Sequence, residues 1–440
     1  MKVLFSNPPW WDGIQDGRYV AGVRAGSRWP FTMTLPTPPG QFAHGAYLPY
    51  PFFMGYAATY AERESGARVS FRDSIALRES YESYMAFVVA GQFDVIVIES
   101  ASPSWAHDER LIRVLHRTLP RAKLVVAGPI ASKGEALLRD LPIHACIRGE
   151  YEKGVVRVLR GESGVIDFDL LTLEEMNAAP FPYYDATMAH RYLDTNPRGV
   201  EVPQAQVWSS RGCPYKCIFC VWPATMTGND PDGTGKRSER HYTPDYMEAF
   251  LSEIVARHGF RSIYFDDDTF NLGSRHVERM CAVMRRIGLP WAAMCRADTS
   301  AMELWREMKD SGCYGVKIGF ESGSQTVIDT IVNKRLNLEQ AREAVAEIKR
   351  VGLTVHGTFT YGLPGETREQ MLETRRYADS LGLDTRQESG CAEIEGTPLH
   401  TLARGGALER YSGAHTDGLD YLRETDGRVK YDKLAHTLAG

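Results

Sequence analysis

Three cysteines, Cys213, Cys217 and Cys220, lie in the run Ser209-Ser210-Arg211-Gly212-Cys213-Pro214-Tyr215-Lys216-Cys217-Ile218-Phe219-Cys220. One loop with that spacing aims three thiolates at a common centre. Soft thiolates select zinc, copper(I) or iron–sulfur clusters. A closed zinc site takes four ligands, usually as two pairs, and the nearest histidine downstream, His241, has no paired ligand beside it. A four-iron cluster ordinarily takes four thiolates, so three leave one iron open to bind something reactive. A structural metal knuckle, or a set of buried free thiols, is the alternative reading.

Such a loop needs a strand to enter from and a scaffold to hold it. Gln206-Val207-Trp208 reads as that strand. Five more follow at Ser262–Phe265, Trp291–Cys295, Tyr314–Phe320, Val355–Tyr361 and Thr385–Ile394. Helical patterns at i, i+3, i+4, i+7 separate them, as at Met247, Phe250, Leu251 and Ile254. Six βα units predict a partial barrel, with functional groups at the carboxyl ends of its strands. Polar residues gather at those ends: Asp266-Asp267-Asp268, Arg296-Ala297-Asp298, Glu321-Ser322-Gly323 and Gly362-Leu363-Pro364-Gly365-Glu366.

Upstream, Lys2–Phe5, Arg68–Phe71, Asp94–Ile98, Lys123–Ala127 and His144–Ile147 read as strands alternating with helices. The β-branched run Val95-Ile96-Val97-Ile98 is that of a strand covered on both faces. Such alternation predicts a doubly wound, flavodoxin-like parallel sheet, with its ligand across the carboxyl strand ends. Those ends carry Asn7-Pro8-Pro9, Asp73-Ser74, Ser102-Pro103-Ser104, Gly128-Pro129 and Gly149-Glu150. The organisation expected is therefore a sheet domain over 1–160, a proline-braced linker over 161–200, the barrel over 201–399 and a short polar tail over 400–440. Two long segments rich in Gly and Pro, Asp12–Leu48 and Ala224–His241, are candidates to hold a substrate.

Composition narrows the function. The 440 residues are 43% hydrophobic and 24% charged, an ordinary globular balance. A net charge of −5 argues against general binding to nucleic acid or a membrane surface. No apolar run is long enough for a membrane span, and the N-terminus enters a strand directly rather than a secretory leader. Eight cysteines, three of them clustered, point to cytoplasmic metal chemistry rather than a disulfide framework.

With Cys-x3-Cys-x2-Cys on the loop after the first barrel strand, the chain resembles the radical S-adenosylmethionine (SAM) enzymes. The resemblance implies a [4Fe–4S] cluster on Cys213, Cys217 and Cys220, with SAM on the open iron and cleaved by one electron to a 5′-deoxyadenosyl radical. A flavodoxin- or ferredoxin-type protein would supply the electron. For SAM it implies Phe219, with Ile218, against the adenine, and Asp266 and Asp268 near the methionyl amine. Arg296, Glu321 and Ser322 belong to the same strand-end set, and Gly362 to the adenine-side motif. The turn Asn333-Lys334-Arg335 would place the Arg335 fork on the methionyl carboxylate.

The sheet ahead of the barrel is similar to that of the cobalamin-dependent branch, in Asn7-Pro8-Pro9, in Leu48-Pro49-Tyr50-Pro51-Phe52-Phe53-Met54-Gly55-Tyr56 and in Gly149-Glu150. The resemblance implies cobalamin held by Pro8, Asp73, Ser102, Gly128, Gly149 and Glu150. In Asp73-Ser74-Ile75-Ala76-Leu77-Arg78 the chain departs from the Asp-x-His-x-x-Gly of cobalt-ligating domains: Ile75 stands where the histidine would be. A sheet that binds nothing stays open beside this reading.

The function expected is methyl transfer to an unactivated carbon or phosphinate-type centre of a small metabolite, by methylcobalamin and a substrate radical. Radical ring closure or rearrangement is the alternative within enzymes, and a zinc-stabilised binding protein the alternative outside them.

Overall fold

The computed structural model describes residues 1–15, 18–22, 30–34, 47–77, 79–391 and 394–404. Arg78, Glu393, most of Asp12–Leu48 and the tail beyond Arg404 lie outside the described residues.

The first sheet has six parallel strands: β1 (Lys2–Asn7), β2 (Arg68–Asp73), β3 (Val95–Glu99), β4 (Lys123–Ala127), β5 (Ala145–Ile147) and β6 (Gly164–Ile166). Their order is β6-β5-β4-β3-β1-β2. The order reverses between β1 and β3, where a doubly wound sheet opens a crevice at its carboxyl edge. β3 is buried along its whole length, as its unbroken Val/Ile run requires. β6 falls in the stretch the sequence reads as linker. It is three residues long and begins at Gly164 (φ 90°), too short to show a period.

The second sheet is β7 (Gln204–Val207), β8 (Ser262–Phe265), β9 (Trp291–Cys295), β10 (Cys313–Glu321), β11 (Thr354–Tyr361) and β12 (Thr385–Gly390), all parallel and in chain order. That is the topology of a partial (βα)6 barrel. Local signals set its helices. Pro244–His258 starts on Thr243, whose hydroxyl accepts from the Tyr246 N–H, has proline at its first position, and stops at Gly259 (φ 65°). No helix among the described residues is long and apolar enough to cross a membrane.

One continuous apolar cluster runs through both units, from Val3 and Phe5 to Ala205, Val207 and Phe265. The seam is specific. Gln206 on β7 accepts from the Tyr50 N–H at 2.6 Å and donates to the Leu48 carbonyl at 3.3 Å. Phe52 stacks on Trp208 with centroids 4.3 Å apart, and Tyr50 on Tyr184 at 4.5 Å. The carboxyl edge of the first sheet meets the barrel mouth: Ser102 Oγ accepts from the Glu395 N–H at 3.0 Å, and Lys133 pairs with Glu395 at 2.9 Å.

Candidate active site at the barrel mouth

The cysteine loop leaves β7 through Ser209-Ser210-Arg211 and turns at Gly212 (φ 89°), where a Cβ would lie 2.3 Å from the Ser238 carbonyl. Only glycine fits there. Asp267 pins the start of the loop, accepting from the Ser209 N–H at 3.1 Å, from Ser209 Oγ at 2.9 Å and from Ser210 Oγ. Burial pushes its carboxyl up to about 6. So the three adjacent aspartates divide: Asp266 and Asp268 line the cavity, and Asp267 turns away to brace the loop.

The segment Ala224–His241, expected to hold a substrate, braces the loop as well. Arg237 is buried against Asp230 (2.7 Å) and donates to the Tyr215 carbonyl at 2.7 Å. Lys216 donates to the Gly233 carbonyl at 3.1 Å. On the other side the Ile218 N–H reaches the Val332 carbonyl at 3.1 Å, and the Leu399 N–H reaches the Ile218 carbonyl at 2.9 Å.

Cys213, Cys217 and Cys220 line one cavity of about 190 Å³. Burial pushes the Cys213 thiol up to about 11. Burial also raises Cys217, against the opposing pull of Lys334 and Arg296. Such thiols give up their protons when a metal arrives. Among the described residues no three His, Cys, Asp or Glu converge as ligands to a single ion. Donors set around the corners of a cluster need not converge that way, and the three-thiol set fits one.

The remaining candidates divide. Phe219, Asp266, Asp268, Arg296 and Glu321 line the same cavity. Arg296 is bidentate to Asp298 (2.9 and 2.7 Å) and lies over the Tyr215 ring at 3.6 Å, so its fork is already taken. Glu321 sits at φ 69° where the β10–β11 register shifts, a strained position of the kind found at functional sites. Its carboxylate accepts from Lys334 Nζ at 3.0 Å and Thr360 Oγ1 at 3.1 Å.

Ser322, Arg335 and Gly362 are not among the cavity's lining residues. Ser322 is buried against Thr374 Oγ1 at 2.9 Å. Arg335 is exposed, and it is its neighbour Lys334 that lines the cavity. Gly362 (φ 69°) carries the backbone into a turn in which Glu366 accepts from the Leu363 N–H at 3.1 Å. Ile218 packs with the small apolar group around Val332 and Leu363. Sequence reasoning named Glu321 but passed over Lys334 as an inward cation, and Lys317 and Gly319, which share the inward row of β10 with Glu321. The period-2 alternation of β10 was the signal that could have found that row.

Residues 209–378 match the model of the radical SAM superfamily. The chain carries a radical SAM domain. Such a domain works with a [4Fe–4S] cluster and SAM, and the three cysteines lie at its beginning. The chain is 25% identical to an uncharacterized methyltransferase, PH0819, of Pyrococcus horikoshii, over 80% of this chain and 78% of that one. It is 27% identical to the cytidylyl-2-hydroxyethylphosphonate methyltransferase of Streptomyces wedmorensis, over 51% of this chain and 43% of the relative, under half its length. In fold it is similar to the radical SAM methyltransferase TsrM of Kitasatospora setae, solved with cobalamin and a [4Fe–4S] cluster, at a TM-score of 0.62 and 16% identity, over 83% of this chain and 77% of that one. The radical SAM domain thus follows a sheet domain in a shared arrangement.

At the carboxyl edge of that sheet, Pro8 is buried after β1. Gly128 (φ 87°) has no room for a Cβ, which would lie 2.6 Å from the Ser100 carbonyl. Asp73 turns inward: it accepts from Asn7, from the Ile75 and Ala76 N–H groups and from Tyr192. Ile75 is fully buried. Ser102 meets the barrel segment at Glu395. Gly149 (φ 77°) packs against Phe168 and the Met226 carbonyl. The Glu150 carboxylate is spent on Arg211 and Arg240. The edge nevertheless keeps buried polar atoms without a partner: Asn7 Oδ1 at the end of β1, Trp10 Nε1 just after it, and Ser132 Oγ after β4. A corrin rimmed by amides offers donors and acceptors to all three, so this edge fits cobalamin.

Proposed function

We propose that the protein is a cobalamin-dependent radical SAM methyltransferase acting on an unactivated carbon or phosphinate-type centre of a small metabolite. The observation that carries this reading is the placement of a sheet edge that keeps buried polar atoms without partners against the mouth of the barrel that holds the three cysteines. The names of the methyltransferase relatives, and the cobalamin of the TsrM structure, support it. When bound, the cluster and SAM supply one-electron cleavage of a sulfonium, and the corrin supplies a methyl group for a substrate radical.

The chain's own residues hold, orient and exclude. Cys213, Cys217 and Cys220 hold the cluster. Asp266, Asp268 and Glu321 accept from the methionyl amine, and Lys334 faces the methionyl carboxylate. Phe219, Phe359 and Ile394 make the apolar part of the wall and keep water from a radical. Asn7, Trp10 and Ser132 take up amides of the corrin rim. A flavodoxin- or ferredoxin-type donor supplies the electron.

The test is anaerobic reconstitution with iron, sulfide and hydroxocobalamin, followed by incubation with methyl-labelled SAM and candidate metabolites. Bound corrin and label in the product are expected. Iron uptake and SAM cleavage without any retained corrin would overturn the cobalamin assignment.

A further inference from the structure

Arg211 stands two residues before Cys213 and is completely buried. Its Nη1 donates to Glu150 Oε2 at 3.0 Å and to Glu152 Oε1 at 2.6 Å, and its Nε donates to the Tyr242 hydroxyl at 3.1 Å. Both glutamates belong to the first unit: Glu150 lies in the turn that leaves β5, and Glu152 opens the helix that follows. The same Glu150 also pairs with Arg240, on the strand that runs antiparallel to Ser210-Arg211. The guanidinium lies 4.3 Å over the Tyr56 ring, again from the first unit. A second contact lies beyond the cysteines. The Glu150 N–H donates to the Met226 carbonyl at 3.0 Å, and a Cβ on Gly149 would press on that same oxygen at 3.1 Å. Both feet of the cysteine loop, Arg211 and Met226, therefore stand on the turn Gly149–Glu152.

Burying two guanidinium and two carboxylate groups is a poor way to add stability, because desolvation offsets the attraction, and fixing a register is its best-attested use. Arg211 Nη2 and Glu152 Oε2 remain buried without partners, so the network is not built for complete hydrogen bonding.

We propose that Arg211 is a positioning residue: clamped by Glu150 and Glu152, it sets the cysteine loop in register with the carboxyl edge of the sheet. Docking of the sheet is thereby read directly into the placement of Cys213. The proposal rests on the cysteine loop being the cluster loop, but its main test does not need a bound cluster.

The experiment is hydrogen–deuterium exchange on the full chain, before and after reconstitution, for wild type, Arg211→Lys and Glu152→Ala. Amides of residues 212–221 should exchange about tenfold faster in both variants, while those of β8–β11 stay unchanged. Lysine, a single ammonium, cannot reach both carboxylates and Tyr242 together, so it should not rescue. After reconstitution the reduced cluster should show altered g values on adding SAM. Unchanged exchange in the loop, an increase spread evenly over the barrel, or full rescue by lysine would each overturn the proposal. Should Arg211→Lys fail to fold, Glu152→Ala decides alone, since Glu150 still pairs both arginines in it. A wild type that takes up no iron and sulfide would sink the proposed function and leave the exchange result standing.

Discussion

Lys334 and Glu321 close on each other inside the barrel mouth, Nζ 3.0 Å from Oε1. They come from the last residue of β10 and the basic turn beyond it. A missing side chain makes their meeting possible: a Cβ on Gly319 would lie 2.4 Å from that carboxylate oxygen and 3.1 Å from the ammonium. The pair holds one acceptor and one donor at fixed positions beside three thiols. An amino acid carries the matching groups, an amine and a carboxylate.

Lys334→Met should raise the SAM concentration needed for half-saturation at least tenfold, the worth of a charge-assisted hydrogen bond of roughly 1.5–3 kcal/mol. Arg335→Met should leave it within about twofold, because that side chain faces solvent. Equilibrium binding of SAM to reconstituted protein measures both. Equal losses in the two variants would show that the cation facing the cavity is misassigned.

Gly319→Ala should weaken SAM binding with the cluster in place. The added methyl displaces two flexible side-chain ends rather than backbone, so the melting curve should stay within about 1 kcal/mol of wild type. Iron content, melting and SAM binding on one preparation decide it. Wild-type affinity in this variant would mean that the pair does not touch SAM.

Cys217→Ala should lose most of the iron and the visible absorption of the cluster, since two thiolates remain. Cys281 is a contrast. It is fully buried on a barrel helix, and its loss to Ala should cost about 2 kcal/mol or less with the iron content unchanged. Full iron retention in Cys217→Ala would undo the cluster assignment.

Asp73 gives a pH dependence whose sign is fixed. Burial pushes its carboxyl up to about 6, even against its hydrogen bonds to Ala76, Tyr192, Ile75 and Asn7. The folded chain thus holds that proton more tightly than the unfolded chain, for which the value is near 4. The contribution to stability is complete below pH ~4 and is lost as pH rises through ~6. Asp73→Asn keeps the acceptor and removes the titration. The stability of wild type relative to this variant should therefore fall by on the order of 3 kcal/mol between pH 4 and pH 7. Denaturant melts at the two pH values measure it, and a pH-independent difference would contradict the burial argument.

The strongest signals in the sequence were those that repeat or that chemistry demands. Val95-Ile96-Val97-Ile98 announced a central strand, and the cysteine spacing announced a loop that gathers three thiols at one cavity. β6 was not legible, because three residues beginning with a glycine carry no period. Side-chain direction was legible only in part. Lys334 and Arg335 are chemically alike and adjacent, and the positive φ of both Asn333 and Arg335 decides which of them turns inward. Glu150 was read from its place at a strand end. Its actual partners, Arg211 and Arg240, are separated from it by 61 and 90 residues, and no local pattern reports such a distance. Asp267 differs from Asp266 and Asp268 only through the Ser209 and Ser210 groups that fold over it.

The seam at Gln206 has a consequence for how the chain is made. Its partners at Leu48 and Tyr50 leave the ribosome first, by 158 and 156 residues. At roughly 5–20 residues per second that is a wait of roughly 8–30 s. During it the strands β1 to β6 can assemble, while Tyr50 and Phe52 face no partner strand. A chaperone that shields aromatic surface would find a target at this seam for the length of that wait.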